Sequence, residues 1–71
     1  MKAYKEMLRK IGAYGIKVES LCRISFKKDL ITWNITRDED LVILSDGIIE
    51  YAFINENGEE IDLVQGFLME V

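Results

Sequence analysis

The stretch FINENGEEID, Phe53 to Asp62, sets four carboxylates, Glu56, Glu59, Glu60 and Asp62, around an Asn-Gly pair. Apolar runs flank it, "IIEYAFI" before and "EEIDLVQGFLMEV" after. Asn-Gly between such runs is the strongest short-range hairpin signal, because both residues tolerate the left-handed backbone that tight turns need. Two registers compete. A two-residue Asn57-Gly58 turn pairs Ile54 with Ile61 and Ala52 with Leu63. A three-residue loop, Glu56-Asn57-Gly58 with Gly58 at positive φ, pairs Phe53 with Ile61 and Tyr51 with Leu63. The second collects Ile49, Tyr51, Phe53, Ile61 and Leu63 on one face, continuing to Phe67, Met69 and Val71, and is preferred for that reason. It leaves Glu50, Glu60 and Asp62 on the opposite face with Ile48, Ala52, Ile54 and Val64.

A calcium loop is the competing reading of the same acids. Aligning Gly58 with the glycine of an EF-hand places Asn55 and Asn57 correctly, but puts Phe53 at the first ligand position and Val64 at the twelfth. Two essential ligands are missing, so no metal is expected here.

Upstream, the period is also two. "CRISF" alternates Cys22, Ile24 and Phe26 with polar residues, and "ITWNI" does the same with Ile31, Trp33 and Ile35. A four-residue connection, Lys27 to Leu30, pairs Phe26 with Ile31, Ile24 with Trp33 and Cys22 with Ile35. "LVIL" (41–44) reads as a short buried strand. Before all of these, residues 2–14 place Tyr4, Met7, Leu8, Ile11 and Tyr14 at helical spacing, with Lys2, Lys5, Glu6, Arg9 and Lys10 opposite. Gly12 or Gly15 ends that helix. The fold class is therefore α+β: one N-terminal helix packed on a four- or five-stranded antiparallel meander, residues 1–71 forming a single domain. The expected core is Tyr4, Met7, Leu8, Ile11, Cys22, Ile24, Phe26, Ile31, Trp33, Ile35, Val42, Leu44, Ile49, Tyr51, Phe53, Ile61, Leu63 and Phe67. One helix covers one sheet face, which leaves Leu41, Ile43, Ile48, Ile54, Val64 and Leu68 in need of another cover.

Composition narrows the function classes. Seventy-one residues with one cysteine and no histidine exclude an internal disulfide and a Cys/His zinc site. No segment reads as a signal peptide or a membrane span, and the expected compartment is the cytoplasm. Catalysis lacks its usual general base, no Gly-rich phosphate loop is present, and Cys22 alternates with core residues. No enzyme activity and no cofactor are expected.

Charge is the most informative feature. All nine bases lie in the first 37 residues, where only Glu6, Glu19 and Asp29 oppose them, leaving +6. From Asp38 onward stand ten acids and no base. Such asymmetry points to interaction surfaces, unless folding neutralises the halves against each other. The leading expectation is a small acidic protein-binding module of the inhibitor or immunity type. It would dock Glu50, Glu56, Glu59, Glu60 and Asp62 on a basic partner such as a nucleic-acid enzyme. The alternative is a self-associating accessory subunit, a homodimer that buries Ile48, Ile54 and Val64. The third is a nucleic-acid binder using the basic face Lys2, Lys5, Arg9 and Lys10, disfavoured because overall acidity opposes phosphate binding.

Overall fold

The computed structural model describes residues 1–70. In chain order it contains helix α1 (Lys2–Lys10) and strands β1 (Tyr14–Ser20), β2 (Arg23–Lys28), β3 (Ile31–Asp38), β4 (Leu41–Ser45) and β5 (Glu50–Ile54). Helix α2 (Glu60–Glu70) completes the chain order. The strands form one antiparallel sheet in the order β1-β2-β3-β4-β5. This is the α+β meander that the sequence implies, with a second helix added.

Residues directly opposite in adjacent strands share a sheet face. Ile24, Ile35, Leu44 and Tyr51 form one such row across four strands, with Phe26–Trp33 and Val42–Phe53 beside it. Tyr4, Met7 and Leu8 of α1 and Val64 and Leu68 of α2 complete the core over this row. The two helices therefore lie side by side on one face, α1 against β1 and α2 against β5.

Helix α1 stops where glycine allows it to. Gly12, at φ 86°, takes the left-handed position. The Ala13 N–H donates to Leu8 O at 2.9 Å and the Gly12 N–H to Arg9 O at 3.2 Å, the two bonds of a Schellman motif. The chain then turns into β1, so Tyr14 begins a strand and is exposed rather than lying on the apolar face of the helix.

Asn57 and Gly58 do adopt left-handed backbone, with φ of 58° and 73°. The element they lead into is a helix, not a returning strand, and this corrects the C-terminal hairpin. The apolar residues of this segment satisfy both periods. A strand reading aligns Ile61, Leu63, Phe67 and Met69 but puts Gln65 in the middle of the buried face. A helix aligns Ile61, Val64, Phe67 and Leu68 on one side and frees Gln65 to the flank. Glu60 and Asp62 in its first turn suit the helix dipole. Phe67 fastens the helix to the sheet, its ring centroid 4.4 Å from that of Tyr51 and 6.1 Å from that of Phe53. Val64 and Leu68, expected on an uncovered face, are fully buried, while Leu63 is exposed. Val71 lies outside the described residues.

The β2–β3 hairpin is tighter than the spacing implies. Lys28 pairs with Ile31 across a two-residue Asp29-Leu30 turn, so Phe26 faces Trp33 and Ile24 faces Ile35. The pairing slides by two residues, which preserves the faces. It moves Ile31 to the strand end and Cys22 into the β1–β2 turn, where both are exposed, as is Ile49 in the β4–β5 connection. No helix among the described residues is long and apolar enough to cross a membrane.

Candidate functional site

A meander places alternate turns at alternate ends of the sheet. The β3–β4 turn at Glu39-Asp40 and the exit of β5 thus share one end, where Leu41 pairs with Ile54 and the Asn55 N–H donates to Asp40 O at 2.6 Å. Asp38, Glu39 and Asp40 therefore join Glu56, Glu59 and Asp62, all six exposed, in one acidic pole built from two chain segments. Asp38, Glu39 and Asp40 are not among the acids expected from the sequence to face a partner. The alternation of turns along a meander is the signal that brings them in.

Two of the expected partner-facing acids stand differently. Glu50 opens β5 opposite Ser45, at the far end of the strand from the pole. Glu60 is not a surface group: only 4% of it is exposed. Its Oε1 accepts the Tyr4 hydroxyl at 3.1 Å, joining α2 to α1. Its Oε2 is buried without a hydrogen-bond partner among the described residues. Burial pushes the Tyr4 phenol well above its ordinary range, with the charge of Glu60 and the hydrogen bond to it next in weight and Arg37 opposing. The phenol is therefore a permanent donor to Glu60 at neutral pH.

Beside Glu60 runs an open groove of about 400 Å³. Its apolar walls are Ala52, Phe53, Ile54 and Leu63, and its acids are Glu56, Glu59 and Glu60. Consecutive strand residues point to opposite faces, so a groove touching all three of Ala52, Phe53 and Ile54 lies along the strand edge. β5 is that edge, paired among the described residues with β4 alone. Since the Asn55 N–H points to Asp40 in the β3–β4 turn, alternation turns the main-chain groups of Phe53 the same way and those of Ala52 and Ile54 outward. Ile54 O accepts the Glu56 N–H at 3.1 Å. The Ala52 N–H and C=O and the Ile54 N–H face the groove side.

The two sheet edges differ. β1 carries two register irregularities and the charged Lys17 and Glu19, features that blunt an edge against pairing. β5 pairs with β4 in unbroken register.

The remaining candidate residues do not converge. Lys2, Arg9 and Lys10 are exposed on α1, with Lys5 partly covered. Lys17, Arg23 and Lys27 share the opposite, open face of the sheet by register. The bases are thus divided between two sides of the molecule. Ile48 lies in the β4–β5 connection and Ile54 at the other end of β5, both exposed, while Val64 is in the core. These three form no single apolar surface, because the segment holding Val64 is a helix facing the sheet. The open sheet face is mainly polar in its centre, with Ser25, Asn34 and Ser45 in one row. Among the described residues no group of three or more Cys, Asp or Glu side chains is placed to hold a metal ion. No family model matches the chain, and no curated protein or solved structure shows significant similarity to it.

Proposed function

We propose that this chain is a non-enzymatic protein-binding module of the inhibitor or immunity type, docking its acidic pole on a basic partner such as a nucleic-acid enzyme. The observation that carries this reading is that six exposed acids from two segments share one end of the sheet, and that Arg23 and Arg37, which stand at the same end by register, form no ion pair with them among the described residues. Both ion pairs among the described residues, Arg23–Glu19 at 3.5 Å and Lys28–Asp29 at 2.7 Å, lie within the basic half. No ion pair among those residues joins the halves, and the acids of two separate segments collect at one end. A concentrated field of one sign attracts a surface of the opposite sign and raises encounter rates by about ten- to a thousandfold.

The test is capture on immobilised protein from a lysate of the native host, eluted by a salt step. It is repeated with a variant carrying Asp40→Lys, Glu56→Lys and Asp62→Lys. These positions are exposed and come from both segments, whereas reversing the buried Glu60 would test folding instead. A basic protein recovered in stoichiometric amount by wild type and lost by the variant is the expected result. Equal recovery by a variant of unchanged circular dichroism overturns the reading.

A further inference from the structure

We infer that the free edge of β5 binds an extended peptide segment of the partner by strand addition, with an arginine side chain of that segment lying in the groove and pairing with Glu60. The inference rests on the protein-binding reading above and names how the partner is held.

Three independent observations meet at this groove. The first is Glu60 at the first position of α2: the residue lines the groove, and its Oε2 is buried beside it without a hydrogen-bond partner among the described residues. A buried carboxylate costs stability unless its lone pairs find donors, and the Tyr4 hydroxyl satisfies only part of this one. A residue whose position costs stability without a complete set of partners is a candidate for a ligand's missing donor. The second is the backbone of β5, whose outward Ala52 and Ile54 groups offer a ladder to an added strand, while the β1 edge is bulged. The third is the character of the walls. Ala52, Ile54 and Leu63 provide an apolar track for methylenes, and Glu56 and Glu59 place two further carboxylates around a cationic head.

Chemistry selects the occupant. Guanidinium presents five donors in a planar fork suited to several carboxylate oxygens at once, and it is less strongly hydrated than ammonium. Its three-carbon stem matches the apolar track that leads to Glu60. Helix α2 covers the groove's inner side, so the peptide runs along the outer edge of β5.

The experiment is an NMR titration of the isotopically labelled chain with a short peptide of alternating threonine and valine carrying one central arginine. Amide shifts confined to Ala52–Ile54 and Glu59–Leu63 are expected. Replacing the arginine by its neutral isostere citrulline, or Glu60 by Gln, should weaken binding about tenfold or more, the scale of a lost charge-assisted contact. N-methylation of alternate peptide amides should weaken it too. Glu60→Gln keeps an acceptor for Tyr4, and the paired variant Tyr4→Phe with Glu60→Leu supplies a second, apolar replacement should the first not fold. No shifts in the groove at millimolar peptide, equal affinity for Glu60→Gln, or shifts centred on β1 would each overturn the inference. Those outcomes leave the lysate capture unaffected, since that experiment reads Asp40, Glu56 and Asp62 and not Glu60.

Discussion

Leu30 sits in a backbone conformation that its side chain disfavours. Asp29 and Leu30 turn β2 into β3 with φ of 54° and 68°, the doubly left-handed geometry of a type I′ turn. Aspartate visits that region readily, whereas leucine there costs about 1–2 kcal/mol. The side chain is 95% exposed, so packing returns little of this. Leu30→Gly should raise stability by about 1 kcal/mol, seen as a higher urea midpoint with unchanged slope. A lower midpoint would mean that Leu30 packs against something it does not touch in this fold. Asp46 is the opposite case, a residue matched to its turn. Its Oδ1 accepts the N–H groups of Ile48 at 2.9 Å and Ile49 at 2.8 Å, and these two bonds, Ile49's first, hold its carboxyl below the usual range. A carboxyl with a lowered folded value stabilises the fold above its unfolded value, near 4, and loses that contribution as pH falls through the lower one. Asp46→Asn keeps an acceptor but cannot titrate. The stability gap between wild type and this variant should therefore be present at neutral pH and shrink as pH falls below the ordinary aspartate value, near 4. Thermal unfolding across that range checks it, and a gap constant with pH contradicts it.

Helix α2 is the element that separates what the residues declare from what the tertiary structure decides. The β2–β3 pairing faces, the end of α1 at Gly12 and the left-handed Asn57-Gly58 are all readable, because turn chemistry and strict alternation are local. The C-terminal segment is ambiguous, since Ile61, Leu63, Phe67 and Met69 fit a strand as well as Ile61, Val64, Phe67 and Leu68 fit a helix. The half of the core face lying over β5 settles it: it needs a cover that α1 alone cannot provide, and α2 supplies it through Val64, Phe67 and Leu68. The candidate site suffers accordingly, for Glu60 changes from a surface acid to a buried one when its segment changes type. Gly66 tests the helix directly. It lies inside α2, and a methyl group there would meet no atom within 4 Å. Gly66→Ala should stabilise by roughly 0.5–1 kcal/mol, the helix-propensity difference, with increased helical circular dichroism. A loss of stability would argue against a helix over this segment. The contact between α1 and α2 makes a second prediction. Tyr4→Phe deprives the Glu60 carboxylate of the hydroxyl that donates to it and should cost about 1–3 kcal/mol, whereas Tyr4→Phe with Glu60→Leu should be near neutral or stabilising. Urea unfolding of both variants measures the difference. Should the double variant prove as unstable as the single one, Glu60 would have a structural purpose in its own right.

Over the whole molecule, the fold turns a sequence asymmetry into a spatial one. α1, β1 and β2 carry most of the bases, and the β3–β4 turn, the exit of β5 and the start of α2 carry the acids; Arg23 and Arg37 stand at the acidic end, but no ion pair among the described residues joins the two groups. The bases are spread over α1, the open sheet face and, at Lys28 and Arg37, the helix-covered face, which dilutes their field, whereas six acids share one end. Long-range attraction of this kind is screened by salt over about 8 Å at physiological ionic strength, so it should appear mainly in the association rate. The decisive measurement is the association rate of the captured partner at low and physiological salt. It is taken for wild type, for the acidic-pole variant Asp40→Lys, Glu56→Lys and Asp62→Lys, and for a basic-helix variant with Lys2→Glu, Arg9→Glu and Lys10→Glu. The acidic-pole variant should associate about tenfold or more slowly and lose most of its salt dependence, while the basic-helix variant should associate as fast as wild type or faster. A rate that collapses in the basic-helix variant and survives in the acidic-pole variant would contradict the account.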